Sequence, residues 1–172
     1  SEAPDNAVLA SIPIENATQP ASSLDDVDTM IAKLAERLKT DVTDGEGFRM
    51  LGWSYLNTNR PAEAVTAYAT AVKLLPGRAD VHAGYGEAMV VVAKDIVTPE
   101  AKAQFDQALK IDPQEPRARF FLALHKSQNG QERAALDEWI ALSNASAADL
   151  PWQSDLQARA AKLAAQLGVN IS

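Results

Sequence analysis

From about residue 24 onward, apolar side chains recur every three or four positions, short polar breaks separate the runs, and no stretch alternates as a half-buried strand would. The pattern predicts an all-α chain. Val27, Met30, Ile31, Leu34, Ala35 and Leu38 form one stripe, which predicts a first helix over 24–39 with Ser23 as its N-cap. Asp25, Asp26 and Asp28 then fall in the first turn and oppose the positive end of the helix dipole; they are read in that role rather than as metal ligands. Further helices are expected at 45–58, 61–74, 79–94, 99–111, 116–129 and 132–143. Pro61 and Pro99 suit first helical turns, and Gly130 suits a helix close. A last helix over 151–167, stopped by Gly168, presents Trp152, Leu156, Ala160, Leu163 and Leu167 on one face.

Comparison of the chain with itself exposes a repeat. Phe48, Leu51, Gly52 and Tyr55 return 34 residues later as His82, Tyr85, Gly86 and Met89, whereas Ala64, Tyr68, Ala71 and Pro76 return after 37 as Ala101, Phe105, Ala108 and Pro113. From the second unit to the third the offsets exchange: the front positions become Arg119, Leu122, Ala123 and Lys126 after 37 residues, and the back positions Ala135, Trp139 and Leu142 after 34. Three residues have therefore entered the second unit, within 90–97, where they are expected to lengthen its first helix by nearly a turn. Small residues at Gly52, Gly86 and Ala123, and at Ala64, Ala101 and Ala135, let two antiparallel helices cross closely. Tyr68, Phe105 and Trp139 would fill the space toward the next unit, and Pro76 and Pro113 stop the second helix of a pair. The expected organisation is a linker over 1–22 and a repeat domain over 23–168, with repeats at 45–78, 79–115 and 116–149 and the helix over 151–167 capping the open end.

Composition removes several kinds of chemistry. The 172 residues include no cysteine, which excludes disulfides, Cys-ligated zinc, iron–sulfur clusters, covalent haem attachment through paired cysteines and thiol–disulfide exchange by this chain. A formal net charge of −7 disfavours nucleic acid as a partner, since phosphate contacts need clustered Lys and Arg. No apolar run approaches the roughly 18–20 residues of a membrane helix, so the chain is expected to be soluble. Residues 1–22 carry Pro4, Pro13 and Pro20 but no helical periodicity, basic n-region or continuous apolar h-region; they are read as a mobile linker, not a signal peptide. Within them, Val8, Leu9, Ile12 and Ile14 are apolar. His82 and His125 fall in different units without metal-ligand spacing and are read as structural. With no P-loop, dinucleotide fingerprint, H-E-x-x-H or G-x-S-x-G, no cofactor, metal or catalytic residue is expected.

Over 45–78 the order aromatic-x-x-Leu-Gly-x-x-Tyr, then Ala-x-x-x-Tyr-x-x-Ala-x-x-x-x-Pro, resembles a tetratricopeptide repeat (TPR). The second unit keeps Gly86, Ala101, Phe105, Ala108 and Pro113, while the third has lost the glycine, the last alanine and the proline. The opening helix VDTMIAKLAERLK, the enlarged second unit before TPEAKAQFDQALKIDP and the run ALDEWIAL together resemble, over about 24–168, the periplasmic repeat domain of the CcmI (CycH) and NrfG family of cytochrome c maturation proteins. That resemblance implies a TPR solenoid of three helical pairs with an added N-terminal helix. It also implies a periplasmic, chaperone-like module that captures the C-terminal helix or peptide of an apocytochrome c. The partners it implies are haem ligation and thiol-handling maturation proteins, and in full-length CcmI-type proteins the domain follows membrane-spanning segments absent from this chain. An NrfG-like role toward a multihaem nitrite reductase and a generic TPR protein–protein scaffold are the alternatives.

In such a stack the first helices line the concave face, and counting within each unit puts their second, fifth, ninth, twelfth and thirteenth positions toward the groove. These are Glu46, Arg49, Trp53, Leu56 and Asn57; Asp80, Ala83, Glu87, Val90 and Val91; and Arg117, Phe120, Leu124, Ser127 and Gln128. Trp53, Leu56, Val90, Phe120 and Leu124 are expected to form an apolar floor, flanked by Asn57, Ala83 and Gln128. Trp53 is its expected anchor because Leu51 and Tyr55 already occupy the packing positions. Phe120 is expected to line the groove while its neighbour Phe121 packs. Arg49 and Arg117 would meet a carboxylate, and Glu87 a basic side chain.

Overall fold

The computed structural model describes residues 20–145 and 152–171, with side chains from residue 25 onward. Residues 1–19 of the expected linker, 146–149 of the third repeat and position 151 of the last helix lie outside the described residues. Among the described residues there are helices and no strand: α1 (Pro20–Leu38), α2 (Gly45–Asn57), α3 (Pro61–Leu74), α4 (Ala79–Val92), α5 (Pro99–Ile111), α6 (Pro116–Gln128), α7 (Glu132–Ala145) and α8 (Gln153–Leu167). The helical pairs are α2/α3, α4/α5 and α6/α7. The first helices α2, α4 and α6 touch in succession, whereas no comparable contact joins α3 to α5 or α5 to α7. The first helices therefore form the inner layer of a curved stack.

Two expectations need correction. The first helix opens at Pro20 rather than after Ser23, so Asp25, Asp26 and Asp28 lie beyond its first turn. Proline's fixed φ and missing N–H suit a helix start, and here they prevail over the serine cap signal. The insertion also behaves differently, for α4 has 14 residues against 13 in α2 and α6, a gain of one residue rather than a turn. The reason is a shared closing motif: Asn59, Lys94 and Gly130 take left-handed backbone conformations. The next amides then reach back to the carbonyls of Tyr55, Val90 and Lys126 at 2.8, 2.9 and 2.8 Å. Once Lys94 closes α4, the remaining inserted residues form a loop, and Asp95 has a second positive φ of 71°.

Burial falls into four successive clusters along the stack, not one central core. Large aromatics from the second helices enter spaces left by small residues on the first ones. Tyr68 of α3 lies over both Gly52 and Gly84, and Phe105 of α5 over Gly86. Phe105 then stacks on Phe121 of the next repeat at 5.0 Å. Trp139 of α7 stacks on Phe120 at 5.6 Å, and its indole N–H donates to the Phe120 carbonyl at 3.1 Å. Helix α8 closes the stack with Leu156, Ala160 and Leu163 packed beside Leu136, Trp139 and Leu142, whereas Leu167 stays exposed. His82 is buried and structural, since its Nε2 donates to the Pro76 carbonyl at 2.8 Å and its Nδ1 meets the Gln104 amide at 2.8 Å.

Candidate peptide-binding groove

The inner layer divides into two bands. At the N-terminal ends of α2, α4 and α6 lies a charged band. Glu46, in the first turn of α2, accepts from the Arg49 guanidinium at 2.6 Å and from Arg78 at 3.0 Å, which ties the start of α2 to the start of α4. Arg78, the N-cap residue of α4, also grips Asp80 through two bonds of 2.8 and 2.7 Å. Arg117, in the first turn of α6, meets Glu87 of α4 at 3.4 Å and hydrogen-bonds the Tyr68 hydroxyl, which reaches this side between the first helices. Glu115 caps α6 by accepting the Ala118 N–H at 2.7 Å. Carboxylates at or next to these three helix starts are favoured by the helix dipole.

Protonation in this band follows from the competition between burial and partners. Burial lowers the Arg49 pKa. Burial opposes charge on Asp80 and Arg117 too, but there the partners outweigh it. The Arg78 bonds hold the Asp80 carboxyl below its ordinary range, and Glu87, Tyr68 and Glu115 hold Arg117 above its own. Burial pushes the Tyr68 hydroxyl up to about 12. For Glu115 burial again dominates, against the Ala118 hydrogen bond and Arg117, and its carboxyl rises to about 7.

The second band, at the C-terminal ends of the same helices, carries apolar side chains beside the exposed Asn57 and Gln128. Leu56 of α2 and Leu124 of α6 are half-buried, Val91 and Val92 of α4 are exposed, and Ile96 extends the series into the inserted loop. Gln128, at the end of α6, fixes that loop: its side-chain oxygen accepts the Val97 N–H at 3.0 Å and its amide donates to the Asp95 carbonyl at 2.6 Å.

Several expected groove residues are placed elsewhere. Trp53 is only 3% exposed and belongs to the cluster of Ala64, Tyr68, Ala71, Val81 and Ala88. The alanines of that cluster leave the volume that the indole takes. Ala83 and Val90 are buried as well, in the next cluster. Arg49 is 4% exposed, so its guanidinium serves the charged band from below rather than from the surface. Both adjacent phenylalanines pack: Phe121 on Phe105, Phe120 on Trp139, with the Arg159 guanidinium 5.3 Å from the Phe120 ring. Gln128 is committed to the loop, and the Asn57 amide donates to the Trp53 carbonyl at 2.9 Å. Leu56, Glu87, Arg117 and Leu124 remain partly accessible, and Asn57 and Gln128 are exposed despite these bonds. Counting along the first helices missed Arg78 and Glu115 because both precede their helices. A residue immediately before each predicted helix start was the signal available.

Among the described residues, no helix is long and apolar enough to cross a membrane, and no three His, Asp or Glu side chains gather as a metal site. The inner layer carries charged side chains toward the N-terminal ends of its helices and apolar ones toward their C-terminal ends. A family model described as the cytochrome c-type biogenesis protein H TPR domain matches residues 13–151. The chain belongs to that family. Among curated relatives, the cytochrome c-type biogenesis protein CycH of Rhizobium meliloti (strain 1021) is 39% identical over 141 residues, covering 82% of this chain and 37% of the relative. CycH of Bradyrhizobium diazoefficiens is 29% identical over 131 residues, covering 76% and 36%. The formate-dependent nitrite reductase complex subunit NrfG of Escherichia coli O157:H7 is 23% identical over 112 residues, covering 65% and 57%. The chain thus spans little more than a third of the CycH proteins it matches. Solved structures bear on the fold alone. MamA superposes with a TM-score of 0.67 at 18% identity, covering 86% of this chain and 82% of MamA. YrrB, described as a TPR protein with an unusual peptide-binding site, gives 0.59 at 19% identity, covering 92% and 78%. This is a TPR fold in a cytochrome c-type biogenesis family, and TPR domains are protein-interaction modules.

Proposed function

We propose that this chain is the client-binding part of a cytochrome c maturation factor. It holds the C-terminal region of an apocytochrome c in its concave groove and presents it to the haem ligation and thiol-handling machinery on the periplasmic side. Membership of the cytochrome c-type biogenesis TPR family is the observation that carries this reading. The higher identity to CycH than to NrfG favours the general apocytochrome role over service to a nitrite reductase. The accessible groove residues Leu56, Glu87, Val91, Arg117 and Leu124 contact the client. Trp53, Ala83 and Val90 support them from within, and Arg49 steadies the charged band. The module binds and positions; it makes and breaks no bond, and an amphipathic helix laid in a groove is the recognition mode it would use.

Calorimetric titration tests this reading with C-terminal peptides of the host's c-type cytochromes beside one from a multihaem nitrite reductase, at two ionic strengths. Cytochrome peptides are expected to bind more tightly than the nitrite reductase peptide. Preference for the latter would move the chain to the NrfG role. Equal binding of all peptides, or of none, would reduce it to a generic scaffold.

A further inference from the structure

The second and third repeats differ on their outer sides. At corresponding positions of the first helices, α4 carries His82, Tyr85, Gly86 and Met89, and α6 carries Arg119, Leu122, Ala123 and Lys126. His82 is buried and reaches both the Pro76 carbonyl, just past α3, and Gln104 of α5, so one imidazole joins two neighbouring second helices from below. Arg119 makes no such bridge. Its guanidinium donates at 3.0 Å to the side-chain oxygen of Gln114, which precedes its own helix. With leucine in place of tyrosine and the arginine turned aside, α5, α6 and α7 enclose an open cavity of about 380 Å³. Ala123 is buried in its wall, and Leu109 of α5 and Leu122 of α6 are half-buried there, which gives the cavity an apolar floor.

The rim above that floor carries an excess cation. Lys102 pairs with Asp106 at 2.8 Å, and Lys126 pairs more loosely with Glu138 at 3.6 Å. Arg119 also lines the cavity, but its bond is to the neutral Gln114 amide, and it meets no carboxylate among the described residues. One positive charge therefore stays uncompensated beside leucine surface, on a chain whose net charge is −7. A guanidinium with N–H donors to spare is matched by a carboxylate, which it can hold through two parallel bonds.

The cavity also faces away from the groove. At ~100° per residue, Arg119, Leu122, Ala123 and Lys126 share one side of α6, and the groove residues Arg117 and Leu124 lie roughly 160° round the helix. We propose that this outer cleft docks an acidic segment of a second protein, with one Asp or Glu carboxylate on Arg119 and the adjoining apolar side chain on Leu109 and Leu122. Because the two sites lie on opposite faces, one chain can hold a client and this partner together. That role in hand-over rests on the client-binding reading above, whereas the ligand chemistry of the cleft does not.

The test uses the whole chain and synthetic peptides with both ends blocked that share a leucine and carry either glutamate or glutamine beside it. A third peptide carries glutamine and a free C-terminal carboxylate on the leucine. Calorimetry compares the unaltered chain with Arg119→Gln and Glu138→Gln. Neither side chain belongs to a buried cluster, so both variants should melt at the unaltered temperature. The glutamate peptide is expected to bind more tightly than the glutamine peptide and to weaken with added salt. Its affinity should fall about tenfold in Arg119→Gln and rise about twofold in Glu138→Gln, which removes a rim carboxylate. Saturating the groove with a cytochrome peptide should leave it unchanged.

Equal binding of the blocked peptides, or an affinity indifferent to Arg119→Gln, would overturn the cleft. Displacement by the cytochrome peptide would place the acidic segment in the groove and overturn it too. Tighter binding of the free-ended peptide would overturn the side-chain source of the carboxylate. If the glutamate peptide binds as expected and no cytochrome peptide does, the cleft stands and the client-binding reading falls; the reverse result removes the cleft alone. Affinity that rises when Glu2, Asp5 and Glu15 are changed to Gln would assign the cleft to the chain's own N-terminal segment. A dimer in sedimentation that Arg119→Gln breaks would assign it to a second copy. Either overturns the proposal.

Discussion

Tyr68 crosses Gly84 so closely that a Cβ on the glycine would stand 2.7 Å from the ring's Cζ and 2.8 Å from its hydroxyl. The ring is 1% exposed and also lies against Gly52, so it has no free side toward which to move. Helix propensity alone would make Gly84→Ala stabilising by about 1 kcal/mol. Overpacking against a fixed aromatic costs about 1–3 kcal/mol, and the rigidity of the ring decides the sign. Gly84→Ala is expected to lower the melting temperature, measured by circular dichroism. An unchanged or raised value would mean that the first two repeats can separate slightly at no cost.

Gln128 offers a second, more local measurement. Replacing it with Ala removes two hydrogen bonds to the inserted loop, each worth about 0.5–1.5 kcal/mol, and takes the Gln128 acceptor away from the Val97 N–H. Because Val97 is 5% exposed, that amide is poorly placed to find water. Gln128→Ala should speed hydrogen exchange at Val97 well beyond any change at amides in α2 and α3. Exchange unchanged at Val97 would show that the loop holds its shape without the clamp.

What could be read from the sequence was periodic, and what could not was volumetric. The offsets of 34 and 37 place three helical pairs and locate the insertion because they depend only on spacing. Which residue ends α4 depends on one left-handed residue, Lys94, and a lysine carries no signal for that conformation as Gly130 does. Trp53 sits at a groove position by register, yet the space among Ala64, Ala71 and Ala88 is larger than register reveals and takes the indole inward. Arg49 has the same history: its burial depends on Glu46 beside it and on charges at the start of α4, 29 or more residues away in Arg78 and Asp80.

The placement of Trp53 separates stability from binding. Trp53→Ala should cost about 3–5 kcal/mol in urea unfolding, the range for removing a buried large aromatic. Trp53→Phe keeps most of the volume and should leave affinity for a client peptide unchanged while lowering the unfolding midpoint modestly. Lost affinity in Trp53→Phe, with the fold intact, would return the indole to the groove surface.

Glu115 makes stability depend on pH, and the sign follows from its position. Its side chain is buried at the N-cap of α6, near Arg117, Asp80 and Asp112, and burial lifts its carboxyl to about 7 from an ordinary value of 4.5. Between those values the folded chain holds a proton that the unfolded chain has released, so raising the pH favours unfolding. The contribution is fully present below 4.5 and is lost as the pH passes 7; at ~1.4 kcal/mol per unit it amounts to roughly 3 kcal/mol. Asp44 and Asp80 act in the opposite sense, but both are held below 3.8, so their effect falls at lower pH. Urea unfolding of the unaltered chain should therefore show stability falling from pH 5 to pH 7.5. Glu115→Gln keeps an oxygen for the Ala118 N–H but cannot ionise, and it should flatten that slope. A slope that persists in Glu115→Gln would assign it to another group.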